Sequence, residues 1–231
     1  RSLKKTFRQT LSSLRSFSQQ SQFDTKALEK EFRLHLEGDN HESFTLNGKI
    51  DRLDAKNHSI AIFDYKTGHT DASLQEIVSG LKLQLLTYLL AISENYKEYH
   101  LLPAALMYIY LSGDVKSTPS VPPGGVPKPS PTDQTSGYLI NQPDVLKELD
   151  TALGEDNSFL SVRLKKDGGL YSSSRILTKE EFDNLLSLVK QKLIHIYSHM
   201  MKGDIPIHPT RYKGKSPCSY CPYHAICRFD P

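Results

Sequence analysis

Two aspartates and one lysine lie close together in a stretch of the chain that is typical of a β-hairpin. Hydrophobic residues dominate positions 46–54 and 59–66, and a polar break separates them, so we expect antiparallel strands joined by a two-residue turn. In that register Asp51 faces Asp64 directly, with Cβ atoms ~5 Å apart. Lys66 follows Asp64 by two positions and therefore lies on the same face of its strand.

This arrangement brings two negative charges together unless a cation separates them. Repulsion would keep a proton on one carboxyl group, whereas a hard divalent ion coordinated by oxygen atoms removes the conflict. Mg²⁺ commonly takes one or two carboxylates together with water and a substrate phosphate. A lysine ammonium beside the ion can position a water molecule and offset developing negative charge. Asp51, Asp64 and Lys66 therefore predict a phosphodiester-cutting centre, although charged residues on paired strands also occur as solvated surfaces.

Three surrounding features favour the catalytic interpretation. Asp51 belongs to the motif G-K-I-D-R-L-D, and Gly68 closes the motif F-D-Y-K-T-G. Gln84 and Tyr88 are four residues apart in L-Q-L-L-T-Y, so they share one face of a following helix. Together these motifs resemble the PD-(D/E)XK nucleases of the RecB group.

The resemblance implies a fold and a set of roles. The expected fold is α/β, a restriction-endonuclease-like PD-(D/E)XK core with a mixed central sheet flanked by helices. Asp51 and Asp64 would hold Mg²⁺ with the help of the Tyr65 carbonyl, and Lys66 would position the water and stabilise the transition state. The implied reaction is hydrolysis of a DNA strand that is fed in as a single strand.

The same resemblance assigns supporting residues outside the hairpin. In RecB-like nucleases a Q-x-x-x-Y helix packs beside the active centre, where the Gln supports the catalytic Lys or the DNA, and these roles fall to Gln84 and Tyr88. Such nucleases usually also carry a metal-binding His in an N-terminal helix. His35 and His41 do not have that context, so this ligand stays unassigned, and Glu31 is our guess for an additional acidic ligand.

Three cysteines near the end of the chain form a second candidate site. Cys218, Cys221 and Cys227 have the compact spacing C-x₂-C-x₅-C, and closely spaced thiolates bind soft metals. Zinc would need a fourth ligand, which His224 or His208 could supply, whereas an iron–sulfur cluster normally takes four cysteines.

The cysteine segment also resembles the tail of AddB (RexB) subunits of bacterial helicase–nucleases. In those subunits a [4Fe–4S] cluster is held by three C-terminal cysteines with this spacing and one far upstream, and it clips the end of the domain to its beginning. The corresponding clip here is residues 217–231, but the chain lacks a fourth cysteine. The resemblance further implies an AddA/RexA-like partner subunit and a role at double-strand breaks before recombination. Two alternatives remain open, a standalone exonuclease of the Cas4 type and a non-catalytic DNA-binding or scaffold domain.

Hydrophobic periodicity predicts the remaining elements within a single domain, residues 1–231. Residues 112–137 hold six of the 13 prolines and four of the 13 glycines, which predicts a loop or linker rather than a domain boundary. A solvated insertion is the simpler interpretation, and a functional loop is the alternative because loops of this length are uncommon within one domain. The other predictions are helices at 1–20, 26–37, 73–96 and 143–153, a long helix from 178 that Gly203 ends, strands at 104–111 and 137–141, and weak strand character at 159–165.

Composition sets broad limits. A chain of 231 residues with 38% hydrophobic and 24% charged residues can bury a sizeable core, and a net charge of +3 is compatible with nucleic acid without indicating it. The longest apolar run, 101–111, is too short to span a bilayer, and we expect no signal peptide. Three clustered cysteines indicate a reducing cytoplasm. A first residue other than Met predicts a piece of a longer protein.

Overall fold

The structure is a computed structural model, and it describes most of the chain. The described residues are 2–38, 43–68, 73–111, 135–155, 158–160, 162–171, 175–204, 206–212 and 216–228.

Six strands form one sheet, in the spatial order β1-β2-β3-β4-β5-β6. The strands are β1 Asp24–Glu37, β2 Ser43–Lys56, β3 Ser59–Lys66, β4 Leu102–Tyr110, β5 Thr135–Ile140 and β6 Ile176–Leu177. The helices are α1 Ser2–Gln20, α2 Leu74–Val78, α3 Gln84–Asn95, α4 Pro143–Leu149, α5 Lys179–Met201 and α6 His224–Cys227.

The sheet is mixed, as expected for the α/β class. The first three strands are antiparallel neighbours, β3 and β4 run parallel, β4 and β5 antiparallel, and β5 and β6 parallel. A parallel pair needs a crossover connection, and α2 and α3 supply it between β3 and β4. The predicted hairpin is confirmed, because Lys56 pairs with Ser59 around a two-residue turn in which Asn57 has a φ of 53°.

Helices cover both faces of the sheet. On one face Phe17 of α1 packs edge-on to Phe63 of β3, with ring centroids 5.5 Å apart, and stacks on Phe159 at 4.1 Å. On the other face α3 contacts β3 and β4 and packs against α5. Because β3 and β4 are covered on both sides, their residues are almost all buried, as is typical of central strands with parallel neighbours.

The prediction of a helix at 26–37 is wrong, because this stretch forms the edge strand β1. Leu28, Phe32 and Leu36 are four residues apart and fit a helical stripe, yet Leu28 is exposed. Phe32, Leu34 and Leu36 are the buried side chains, and their spacing of two is the period of a strand. Pairing with β2 stabilises the extended form along its whole length.

The predicted helix at 73–96 is two helices. The capping box at Ser73 is present, but α2 ends after five residues and Gly80 adopts a φ of 80°, which a continuous helix does not allow. A second helix then begins at Gln84. The break matters for the site, because it makes Gln84 the first residue of α3.

Three smaller predictions change as well. Residues 135–137 of the predicted loop belong to β5, and residues 112–134 lie outside the described residues. The helix predicted at 143–153 ends at Leu149, and the weak strand at 159–165 contributes only an isolated bridge between Leu164 and Leu170.

The long helix α5 begins at a capping box on Thr178, as predicted. None of the helices in the described part of the chain is long and apolar enough to cross a membrane.

Arg52 and Asp54, both on β2, form a buried ion pair beside the core. Arg52 donates three hydrogen bonds to Asp54, from Nε to Oδ1 at 2.8 Å and to Oδ2 at 3.1 Å, and from Nη2 to Oδ2 at 2.6 Å. The guanidinium lies 5.6 Å from the ring centroid of Phe17 and 5.4 Å from that of Phe63. Burial opposes the charge of Arg52, but Asp54 overcomes this effect, so the net pKa of the guanidinium is raised.

We expect Asp54→Ala to lower the free energy of unfolding by about 3–5 kcal/mol, because it leaves the Arg52 charge buried without its partner. Urea denaturation measures the change. Asp24→Ala removes an exposed pair with Lys26 and should change stability little. The double variant Arg52→Met/Asp54→Leu should recover most of the loss, and a double variant as unstable as Asp54→Ala would contradict this explanation.

Candidate active site

The predicted site residues meet at the carboxyl ends of β3 and β4, where α3 begins. Asp64 and Lys66 belong to β3, and the parallel register sets Asp64 beside Tyr108 of β4. Asp64 is 1% exposed, whereas the Lys66 side chain is 28% exposed. A buried carboxylate therefore lies beneath an ammonium group that reaches solvent.

The amide of Gln84 joins the lysine, the aspartate and a tyrosine. Lys66 Nζ donates to Gln84 Oε1 at 2.8 Å, and Gln84 Nε2 donates to Asp64 Oδ1 at 2.9 Å and to the Tyr88 hydroxyl at 2.6 Å. Because an ammonium group only donates and a carboxylate only accepts, this is the amide orientation that satisfies both neighbours. The structure thus brings together Asp64, Lys66, Gln84 and Tyr88.

Asp51 joins the site from the neighbouring strand through the backbone. Its Oδ2 accepts a hydrogen bond from the Tyr65 N–H at 2.8 Å, which ties β2 to the residue between Asp64 and Lys66. Its charge also acts on the Asp64 carboxyl. Asp51 therefore lies close enough to Asp64 for the two carboxylates to interact, as the hairpin register predicts.

Burial controls the ionisation of the site. It raises the pKa of the Asp64 carboxyl above its usual range, the Lys66 ammonium opposes the rise, and the charge of Asp51 adds to it. Burial also raises the pKa of the Tyr88 hydroxyl and, with the Asp64 charge, that of Tyr108. Both tyrosines keep their protons at neutral pH and remain hydrogen-bond donors.

The chemistry of the site fits a hard divalent cation. Asp64 Oδ2 is buried and accepts no hydrogen bond of good geometry, and its close contact is Lys66 Nζ at 2.6 Å. Two neighbouring carboxylates are oxygen donors of the kind that Mg²⁺ uses with a substrate phosphate, and the Tyr65 carbonyl as a further ligand stays a prediction. Among the described residues no three His, Cys, Asp or Glu side chains converge, so Glu31 does not complete a third acidic ligand.

The cysteine segment is not assembled as a metal centre. Cys218, Cys221 and Cys227 are half-buried free thiols. Cys218 lies on a short 3₁₀ turn, Cys221 directly follows that turn, and Cys227 is the last residue of α6. They do not form a three-ligand group in the part of the chain that the structure describes. The donor set present here therefore does not fit a [4Fe–4S] cluster without further sulfur, and the cluster stays a prediction.

Sequence reasoning missed three residues around the site. The Tyr108 ring lies 5.3 Å from Lys66 Nζ, and the Phe32 ring packs edge-on to Tyr88 with centroids 5.7 Å apart. A methyl group on Gly48 would lie 2.6 Å from two carbons of the Phe32 ring, so glycine makes room for this contact. The parallel register of β4 with β3 would have identified Tyr108, but the misread strand β1 hid Phe32.

Fold and site together define a nuclease architecture, and the sequence comparisons agree. The family described as the PD-(D/E)XK nuclease superfamily matches residues 1–228, and the chain belongs to it.

The relatives identify a narrower resemblance. Proteins named as the B subunit of an ATP-dependent helicase/deoxyribonuclease are similar to this chain in Desulforamulus reducens, with 36% identity over 83% of the chain, and in Clostridium kluyveri, with 32% identity over 85%. A protein of that name from Clostridium botulinum is 34% identical over 82%. The chain spans only 17–18% of the length of these relatives.

We expect Asp64→Asn to change the pH dependence of stability in a defined direction. A raised folded pKa means that stability is lost as pH rises from the unfolded value of about 3.9 through the folded value. The free energy of unfolding of the variant minus that of the wild type should therefore grow as the pH rises above about 4. Urea titrations in a metal chelator measure it, and a difference that is constant with pH would contradict the raised pKa.

We expect Gly48→Ala to destabilise the chain by about 1–3 kcal/mol, because the added methyl group must displace the Phe32 ring that packs on Tyr88. Gly68→Ala is the matched control, since a methyl group there meets nothing within 4 Å. Chemical denaturation of both variants measures the effect. Phe32→Leu should cost less in the Gly48→Ala background than in the wild type, and additive losses would show that the two positions do not interact.

Proposed function

We propose that this chain is a single Mg²⁺-dependent nuclease domain that hydrolyses phosphodiester bonds of DNA as an exodeoxyribonuclease. The observation that carries the proposal is the Lys66 ammonium, held at 2.6 Å from the buried Asp64 carboxylate and at 2.8 Å from the Gln84 amide oxygen. An ammonium group that is fixed by a carboxylate and reaches solvent can stabilise the negative charge that develops on a phosphate during cleavage.

Each side chain has a role in the proposal. Asp51 and Asp64, with the Tyr65 carbonyl, would hold Mg²⁺. Lys66 orients a water molecule and offsets the negative charge that develops on the phosphate.

Gln84 and Tyr88 act as positioning residues in the same proposal. Gln84 fixes the ammonium relative to Asp64, and the Tyr88 hydroxyl fixes the amide of Gln84. The chemistry that a bound Mg²⁺ supplies at such a site is polarisation of the scissile phosphate and activation of water.

We extend the proposal to the longer protein by similarity. The relatives' name contains both helicase and deoxyribonuclease and describes one subunit of an assembly, which supports a DNA substrate and a partner subunit. We propose that the partner is an AddA/RexA-like helicase–nuclease subunit and that the pair processes double-strand breaks for recombination in the cytoplasm. A [4Fe–4S] cluster on the three cysteines would need a fourth ligand from outside these 231 residues.

We expect Lys66→Ala to lower Mg²⁺-dependent degradation of end-labelled single-stranded DNA by roughly 10²–10³-fold, the loss typical of removing one preorganised electrostatic group. Lys97→Ala removes the same charge from an exposed turn and should leave the rate unchanged. Circular dichroism checks that both variants are folded. Equal cutting by wild type and Lys66→Ala would contradict the assigned role.

Asp51→Ala separates this function from the alternative of a non-catalytic DNA-binding domain. If Asp51 is a metal ligand, the variant loses cutting and still binds DNA in the presence of a chelator. If the carboxylate only receives the Tyr65 N–H as a structural contact, the variant loses stability, and no Mg²⁺-dependent cutting is found in the wild type either.

A further inference from the structure

A cavity of about 250 Å³ lies at the same end of the sheet as the candidate active site, and its lining is mainly apolar but includes two arginines, a tyrosine and a threonine. The residues that matter are Met107, Thr135, Gly137, Arg163, Tyr171 and Arg175. The volume is below the roughly 300–1,000 Å³ of sites for drug-sized ligands, so the cavity suits one compact group such as a phosphate with part of a nucleoside. We refer to it as the β5 cavity.

The floor of the β5 cavity contains a hydroxyl group without a partner. Thr135 is 6% exposed, and its Oγ1 is buried and makes no hydrogen bond. A buried hydroxyl left unpaired costs about 1–3 kcal/mol, which favours a ligand that satisfies it. Gly137 also lines the cavity, and a methyl group there could not be accommodated because it would lie 1.9 Å from the Leu106 carbonyl oxygen of β4.

The rim of the cavity carries two arginines and a tyrosine. A small hairpin sets Arg163 beside Tyr171, because the Tyr171 N–H donates to the Arg163 carbonyl at 3.2 Å and Leu164 bridges to Leu170. Arg175 is attached to β5, where its carbonyl accepts from the Leu139 N–H at 2.9 Å and its Nη1 donates to the Ser136 hydroxyl at 2.9 Å. Tyr171 is 56% exposed.

The β5 cavity is close to the candidate active site, on the opposite face of the same sheet end. Thr135 pairs with Ile109 of β4, and Lys66 pairs with Tyr110 one position further along. Met107 lines the cavity, whereas the neighbouring Tyr108 lies under the Lys66 ammonium, and adjacent strand residues point to opposite faces. At ~4.8 Å per strand, β5 lies about 10 Å from β3.

We propose that the β5 cavity binds a phosphate and its adjoining base on the single DNA strand whose cleavage takes place at Asp64 and Lys66. Guanidinium groups bind phosphate through paired N–H donors, and an exposed tyrosine ring stacks on a base without regard to sequence. The Thr135 hydroxyl donates to a phosphate oxygen. The strand would then pass over the end of the sheet from one face to the other, and this inference rests on the proposed action on DNA.

Binding of a short fluorescently labelled oligothymidylate in chelator, followed by fluorescence anisotropy, tests the cavity without cutting. Arg163→Gln and Arg175→Gln should each reduce the slope of log affinity against log salt by about 0.7, the value for one phosphate contact on a single strand. Tyr171→Ala should weaken binding by roughly tenfold or more. Arg33→Gln removes the same charge from the other edge of the sheet, on β1, and should leave the affinity and the slope unchanged.

Thr135→Val provides the second variant, because it keeps the shape of the side chain and removes the unpaired hydroxyl. We expect it to stabilise the free chain and to weaken oligonucleotide binding. If Thr135→Val is more stable than the wild type but binds the oligonucleotide equally well, the hydroxyl does not contact the ligand, and its proposed role in the cavity is wrong. Competition distinguishes the two sources of phosphate, since displacement by inorganic phosphate at concentrations near those of the oligonucleotide would show a site for the free ion.

The outcomes separate this inference from the proposed function. If wild type cuts DNA and Lys66→Ala does not, while the arginine variants bind like Arg33→Gln, the nuclease stands and the cavity proposal fails. If the arginine variants lose binding but no protein cuts, the cavity binds DNA and the nuclease proposal fails. If wild type does not bind the oligonucleotide, the cavity proposal fails regardless of activity.

Discussion

The Gln84 amide is the contact on which the candidate site depends. Its oxygen accepts from Lys66 and its nitrogen donates to Asp64 and to Tyr88, so one side chain fixes the separation of the two charges and closes the network. The break after α2 makes this possible, because it starts α3 at Gln84 beside the end of β3. In an uninterrupted helix, the direction of Gln84 would be set by the helix that begins at Ser73. The turn through Gly80 is therefore needed to orient Gln84 in the site.

The buried Asp64 carboxylate explains why a cation lies beside it in the site. Asp64 lies at the end of a strand that is buried on both faces, and its desolvation would be unfavourable if no cation stood beside it. Lys66 supplies that cation in the free chain, and its partial exposure leaves it accessible to an incoming phosphate.

Much of this could be predicted from the sequence, and the failures have a common physical cause. The hairpin, the parallel crossover and the meeting of Asp64, Lys66, Gln84 and Tyr88 followed from local spacing and motif resemblance. The error at residues 26–37 arose because apolar residues there satisfy both a period of four and a period of two. Pairing with β2 decides between these periods, and pairing is a tertiary interaction that no local pattern contains.

The same error explains which site residues stayed hidden. Because residues 26–37 form a strand, the Phe32 ring packs against Tyr88. The same ring occupies the space that a side chain at position 48 would need, which explains the glycine there. The β5 cavity was hidden in a similar way, because Arg163, Tyr171 and Arg175 converge only through a small hairpin and the pairing of β5 with β6. The motifs carry the chemistry of the site, and long-range pairing decides what surrounds it.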